Sequence, residues 1–201
     1  MRQFLSLAAA LVGLLASPMA LAQDGGMFAV RVRAGNLSPA NSDASNMALS
    51  INKKSTTEVD LSVFLNPNEA LELAILSPQN HTLYSAAWAE NVGSFKQTPI
   101  TLVGQHHFTG LLGGVRPYLG LGVAYTRISG VSTTDGVLDF KRSSLGLAAQ
   151  IGLDVPLAKG WLLNLDVKKL QIATRVSYEG ADLGKFKLDP VLLSVGVGVR
   201  F

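Results

Sequence analysis

The chain has 201 residues, enough for one domain or two. Charged residues are 15%, well below the roughly 25% of an ordinary soluble domain, and cysteine is absent, which excludes a disulfide scaffold, thiolate metal sites and cysteine catalysis. Seventeen basic against 14 acidic residues give a net charge of +3, too weak and dispersed for a nucleic-acid partner.

Residues 1–22 read as a secretory signal peptide. Arg2 supplies the positive region, Leu5 to Leu15 the apolar core, and Ala20-Leu21-Ala22 the small-residue cleavage site. The second segment, 23–201, is then an exported barrel domain. It contains no apolar run of the ~18 residues that a spanning helix needs.

What it shows instead is alternation with period two. Phe28, Val30, Val32 and Ala34 oppose Ala29, Arg31, Arg33 and Gly35. Val59, Leu61 and Val63 oppose Glu58, Asp60 and Ser62, and Leu71, Leu73 and Ile75 oppose Glu72 and Ala74. Ile100, Leu102, His106 and Phe108 form the apolar side of a fourth strand. The stretches 115–127, 145–155 and 161–168 follow, and the chain closes on Val191, Leu193, Val195, Val197, Val199 and Phe201. That makes eight strands. Short connections (66–68, 109–114, 156–160) alternate with long ones (37–56, 78–97, 128–142, 176–188), the layout of an outer-membrane barrel with short periplasmic turns. The second face of each strand carries Gly, Ala, Ser and isolated charges. A water-facing surface would be rich in Lys and Glu, whereas small residues suit the lumen of a narrow barrel. The expected fold is all-β: an eight-stranded antiparallel transmembrane barrel in the outer membrane of a Gram-negative bacterium.

Several segments resemble the OmpW family, which includes AlkL-type proteins. They are Val32-Arg33-Ala34-Gly35, Glu72-Leu73-Ala74, Gln105-His106-His107-Phe108, Arg116-Pro117-Tyr118-Leu119-Gly120-Leu121-Gly122, Trp161-Leu162-Leu163-Asn164, Leu188-Asp189-Pro190 and the ending Gly198-Val199-Arg200-Phe201. The resemblance implies a narrow, largely hydrophobic lumen and passive inward passage of small hydrophobic molecules through a lateral opening in the wall. Lys168-Lys169 departs from that pattern.

Opposite charges in such a lumen should pair, because unpaired buried charge is costly. Counted from the periplasmic turns, Glu72, Arg116, Asp154 and Arg200 form a lower charge plug, and Arg31, Arg33, Asp60, Asp166 and Lys168 lie higher. Eight strands leave space only for side chains, so a plug, not an ion pore, is expected. Pro78 and Pro99 lack the N–H that a ladder needs; they mark either a lateral opening between the third and fourth strands or ordinary strand ends. Leu83, Tyr84, Trp88 and Phe95 between them either line an apolar entrance loop or pack as a loop core. His106 and His107 point to opposite faces and cannot share a metal. No nucleophile-elbow motif or metal-ligand spacing occurs, so neither enzymatic activity nor a cofactor is expected. The expected partners are outer-membrane lipid, small hydrophobic solutes and, during biogenesis, the barrel assembly machinery, which would read the terminal Phe201. The alternative is a structural or receptor barrel that binds a phage, a bacteriocin or a host surface through its loops.

Overall fold

The computed structural model describes residues 26–43, 48–87, 90–110, 112–133, 138–158, 160–178 and 181–201. The proposed signal segment 1–22 and Trp88 lie outside them. Eight barrel strands run antiparallel: β1 (Phe28–Ser38), β2 (Lys54–Phe64), β3 (Glu69–Leu76), β4 (Glu90–His107), β5 (Arg116–Thr133), β6 (Ser143–Pro156), β7 (Trp161–Leu170) and β8 (Val191–Arg200). Each pairs with its chain neighbours, and β1 pairs with β8 from Ala29↔Arg200 to Ser38↔Val191, so the sheet closes. Phe28 N–H donates to Phe201 O (2.9 Å) and Phe201 N–H to Phe28 O (2.8 Å), sealing the seam at the periplasmic end. Closure leaves no edge strand, the condition for a sheet in lipid.

Local chemistry fixes the short turns. Asn66 Oδ1 accepts from the N–H groups of Asn68 (2.9 Å) and Glu69 (2.8 Å), an Asx turn that reverses β2 into β3. Gly160 supplies the positive φ of 79° between β6 and β7.

The outer connections are more regular than expected. The predicted loop 78–97 is mostly strand: Gln79–Ser85 pairs with the upper part of β4. Its alternation survives because His81, Leu83 and Ser85 turn inward while Asn80, Thr82 and Tyr84 face out. The other long connections contribute Ser42–Asp43, Leu138–Phe140, Ala173–Tyr178 and Ala181–Lys187 to a separate four-stranded sheet. Leu49–Ile51 pairs with Leu83–Ser85. Inward apolar side chains from these extensions (Leu49, Leu83, Val92, Phe95, Phe186 and Leu188 among them) join Ile128 and Leu170 of the barrel in one buried cluster. Burying that cluster is what orders the outer strands.

Candidate functional site

The barrel is inside-out. Its outward face is apolar and bare: Leu121, Leu145 and Leu193 are 75%, 76% and 62% exposed. Leu73, Leu102, Leu119, Val123, Leu147, Leu165 and Val195 join them. In water so large an apolar surface would aggregate; in a bilayer it is the solvent-matched surface. On β3 this band ends at Ile75 and on β4 at Ile100; beyond, the exposed residues are mostly polar, Asn80, Thr82 and Lys96 among them. Residues 79–97 therefore lie outside the membrane-spanning segments.

The inward face buries charge. Arg31 donates from Nε (3.2 Å) and Nη2 (2.7 Å) to the two oxygens of Asp154, and from Nη1 to Asp60 (3.0 Å) and Ser62 (2.8 Å). Arg33 reaches Glu58 through Nη1, and Asp60 (2.6 Å) and Glu72 (2.7 Å) through Nη2. Lys168 Nζ lies 3.1 Å from carboxylate oxygens of both Glu58 and Glu72. Neutral groups complete the set. Gln105 donates to Glu72 (2.9 Å), Gln150 to Asp166 (2.6 Å), Tyr118 Oη to Asp166 (2.7 Å) and Asn164 to Asp154 (2.7 Å). Side chains from every barrel strand except β8 take part. On β8, Gly198 leaves the room: a Cβ there would stand 2.7 Å from Arg31 Cγ. Five carboxylates (Glu58, Asp60, Glu72, Asp154, Asp166) meet three cations, two more acids than bases, and all eight are buried. Such groups are held by mutual pairing, since each is costly to bury alone.

Beneath the network lies an aromatic floor. His107 packs at a tilt between Phe64 (5.0 Å between centroids) and Tyr118 (4.9 Å), and the Arg200 guanidinium sits 3.6 Å from the Phe64 ring centre. Here the structure corrects the sequence reading. Arg200 is half-buried, donates to Gly26 O (2.8 Å) and caps the floor, outside the ionic network. Arg116 is half-buried at the rim and makes no ion pair with it, although its register partner is Asp154. Nor are there two layers of charge: Arg31, Arg33, Asp60, Asp166 and Lys168 share one network with Glu72 and Asp154. Glu58, Ser62, Gln105, Tyr118, Gln150 and Asn164 complete it and were not singled out in the sequence, although their inward phase in the alternation was visible. Lys168 points inward and Lys169 outward.

The entrance residues also separate. Leu83 and Phe95 are buried in the apolar cluster, while Tyr84, one residue on, faces out. His106 is exposed and lies 2.6 Å from Glu69; His107 is buried. His81, beyond the membrane band, is buried with Nδ1 3.1 Å from Asn52 O, and burial pushes its imidazole down to about 4. Among the described residues no cluster of three or more His, Asp or Glu is arranged to hold a metal.

Pro78 and Pro99 meet at a fault in the wall. Pairing of β3 with β4 stops at Ile75↔Ile100 and resumes at Gln79↔Gln97, so three residues (76–78) oppose two (98–99). Expected between β3 and β4, the larger discontinuity falls on the other side. The β2–β3 ladder ends with Ser77 N–H donating to Thr57 O (2.7 Å), and among the described residues it does not resume. Between that point and Ile51↔Leu83, where the residues before β2 take up the pairing again, the contacts to Gln79–Ser85 run through side chains: Gln79 Nε2 to Thr56 Oγ1 (2.7 Å), His81 Nδ1 to Asn52 O (3.1 Å) and the Thr82 N–H to Asn52 Oδ1 (3.3 Å). Proline explains both faults, since neither residue donates to a ladder.

A closed eight-stranded sheet with polar charge inside and an apolar belt outside defines an integral outer-membrane β-barrel. The chain belongs to the OmpW family, whose model matches residues 24–201. It is similar to Outer membrane protein W of Vibrio cholerae, 28% identical over the whole length of both chains. Its fold is that of the outer membrane protein OprG from Pseudomonas aeruginosa (TM-score 0.73, 21% identity, 88% of this chain and 96% of that one). It is also that of the outer membrane protein AlkL in DMPC lipid bilayers (TM-score 0.64, 22% identity, 90% and 93%). The protein resides in the outer membrane of a Gram-negative bacterium, with lipid against its apolar belt.

Proposed function

We propose that this barrel passes small hydrophobic molecules passively across the outer membrane, admitting them from outside and releasing them sideways into the bilayer. One observation carries the reading: the lumen is sealed below by the buried ionic network and its aromatic floor, apolar above, and faulted in its wall at Ser77–Pro78, where those two zones meet. An apolar solute that enters among Leu49, Leu83, Phe95 and Phe186 meets five carboxylates below it. Entering that layer would strand charges without partners. The wall beside Pro78 is the route that breaks the fewest hydrogen bonds, because the β2–β3 ladder has already ended there. No catalytic step belongs to this reading. Residues 1–22 serve as the export signal, and the barrel assembly machinery inserts 23–201.

The test is entry of an apolar fluorescent dye into vesicles whose outer leaflet is lipopolysaccharide, with ion leakage read in parallel. The folded barrel is expected to raise dye entry several-fold over empty vesicles while conducting few ions. Equal dye entry with and without protein would overturn passage and leave a structural or receptor barrel.

A further inference from the structure

Eleven buried side-chain polar atoms find no hydrogen-bond partner among the described residues, and five of them fall on four residues grouped by register around Pro99: Gln79 Oε1, Gln97 Oε1 and Nε2, Thr101 Oγ1 and Thr126 Oγ1. Native barrels satisfy nearly all such atoms, so a cluster of unsatisfied ones needs a cause. Gln97, Thr101 and Thr126 are 1%, 0% and 0% exposed. Their placement is set by register. Gln97 and Thr101 flank Pro99 on the inward face of β4, and Thr126 on β5 is the register partner of Pro99. Gln79 is the register partner of Gln97 and, through Thr56, ties the far side of the wall fault. All four residues therefore stand on the inward face beside the discontinuity at residues 76–78, at the lower end of the apolar cluster, where Ala124 is the register partner of Thr101.

We infer that this cluster is a binding site for the hydroxyl end of an otherwise apolar solute. The chemistry selects the class. A primary amide and two threonine hydroxyls offer both donors and acceptors, and Gln79 offers an acceptor, so the complement is a neutral group that both donates and accepts. A carboxylate would face two amide oxygens and the surplus acids below. An ammonium would exchange its hydration for amide and hydroxyl oxygens alone. An alcohol meets neither obstacle. Its alkyl chain lies against Ile128, Phe95 and Leu83 above, or passes through the fault into lipid, while its hydroxyl donates to one of these oxygens and accepts from the Gln97 amide or a threonine hydroxyl. The site discriminates because an alkane in the same position would leave those groups unpaired.

This inference rests on the passage proposed above, and its test separates the two. Octan-1-ol and octane are titrated at matched lipid concentrations into nanodiscs holding the full barrel, and the side-chain amide signals of Gln97 and Gln79 are followed. Entry of both solutes into lipopolysaccharide vesicles is measured alongside. Octan-1-ol is expected to shift the Gln97 amide signals and octane to leave them in place. In Gln97→Leu and in Thr101→Val, each checked as folded by gel mobility of unheated samples, the octanol-to-octane entry ratio should fall five- to tenfold. If the alkane shifts Gln97 as the alcohol does, or the ratio is unchanged in both variants, the cluster holds water only and the inference is wrong, with passage itself intact. If neither solute enters faster than through empty vesicles while Gln97 still responds to octan-1-ol, the passage reading fails and the hydroxyl site stands.

Discussion

Arg33 Nη2 lies 2.7 Å from Glu72 Oε2, although β1 and β3 are not neighbours and β2 runs between them. One guanidinium thus spans a barrel strand, touching Glu58 and Asp60 on the way. The ion pairs are bolts across the lumen, where a cross-strand pair would tie only adjacent strands.

The surplus of acid makes the network asymmetric. Arg33→Met removes the partner of three carboxylates and is expected to cost about 3–5 kcal/mol, the range for stranding buried charge. Asp60→Asn keeps an acceptor near both arginines and relieves the surplus, so it should cost under about 2 kcal/mol. Urea titration read by gel mobility measures both. Equal losses would show that the network is not acid-rich in the folded barrel.

Which face meets lipid is tested on one strand. Val195 is half exposed on the outer face, and its neighbour Ser194 is buried opposite Asp166 in the register. Val195→Arg should cost about 2–4 kcal/mol at the bilayer midplane. Ser194→Arg enters a lumen that already holds unmatched carboxylates and should cost less. The reverse order would contradict the assignment of faces.

Much of this was legible in the sequence, and the reason is the alternation itself. Arg31, Arg33, Glu58, Asp60, Glu72, Asp154 and Asp166 all stand in the inward phase of their strands, so their shared lumen follows from period two. Their height did not. Counting residues from the periplasmic turns puts Glu72 low and Arg33 high, yet barrel strands tilt and stagger. Glu72 is opposite Ser62, four residues from the Glu58 that pairs with Arg33, and the three still converge. Arg116 and Arg200 failed for a related reason: a charge at a strand end has the rim available and need not enter the lumen. The Pro78 fault was visible as a missing N–H, but its deeper side, toward β2, depends on pairing that no spacing encodes.

The outer hairpin should loosen in acid. His81 titrates at about 4 when folded, against 6.5 when exposed. A histidine whose folded value is lowered favours folding above the unfolded value and loses that contribution as pH falls toward the folded one. Hydrogen exchange over 79–95, taken relative to the intrinsic amide rate at each pH, should accelerate between pH 6.5 and 4, and His81→Gln should flatten the change. The same acceleration in the variant would assign it to other groups.

Phe201 closes the barrel twice, through its backbone to Phe28 and through ring stacking with it at 6.1 Å. Its deletion should lower the folded amount in the outer membrane far more than deletion of exposed Ala87 from an outer connection. Immunoblots of unheated membranes decide it, and equal yields would remove the terminal residue from assembly.

The account stands most directly on where an apolar solute leaves. Dye entry into lipopolysaccharide vesicles is compared for the natural barrel, Pro78→Val and Asp154→Asn at equal folded amounts. Valine restores a ladder donor at the fault, and asparagine loosens the ionic network that seals the lumen. Entry should fall at least threefold in Pro78→Val and stay within twofold in Asp154→Asn. Entry that survives Pro78→Val and rises in Asp154→Asn would mean a straight axial path, and the lateral exit would be wrong.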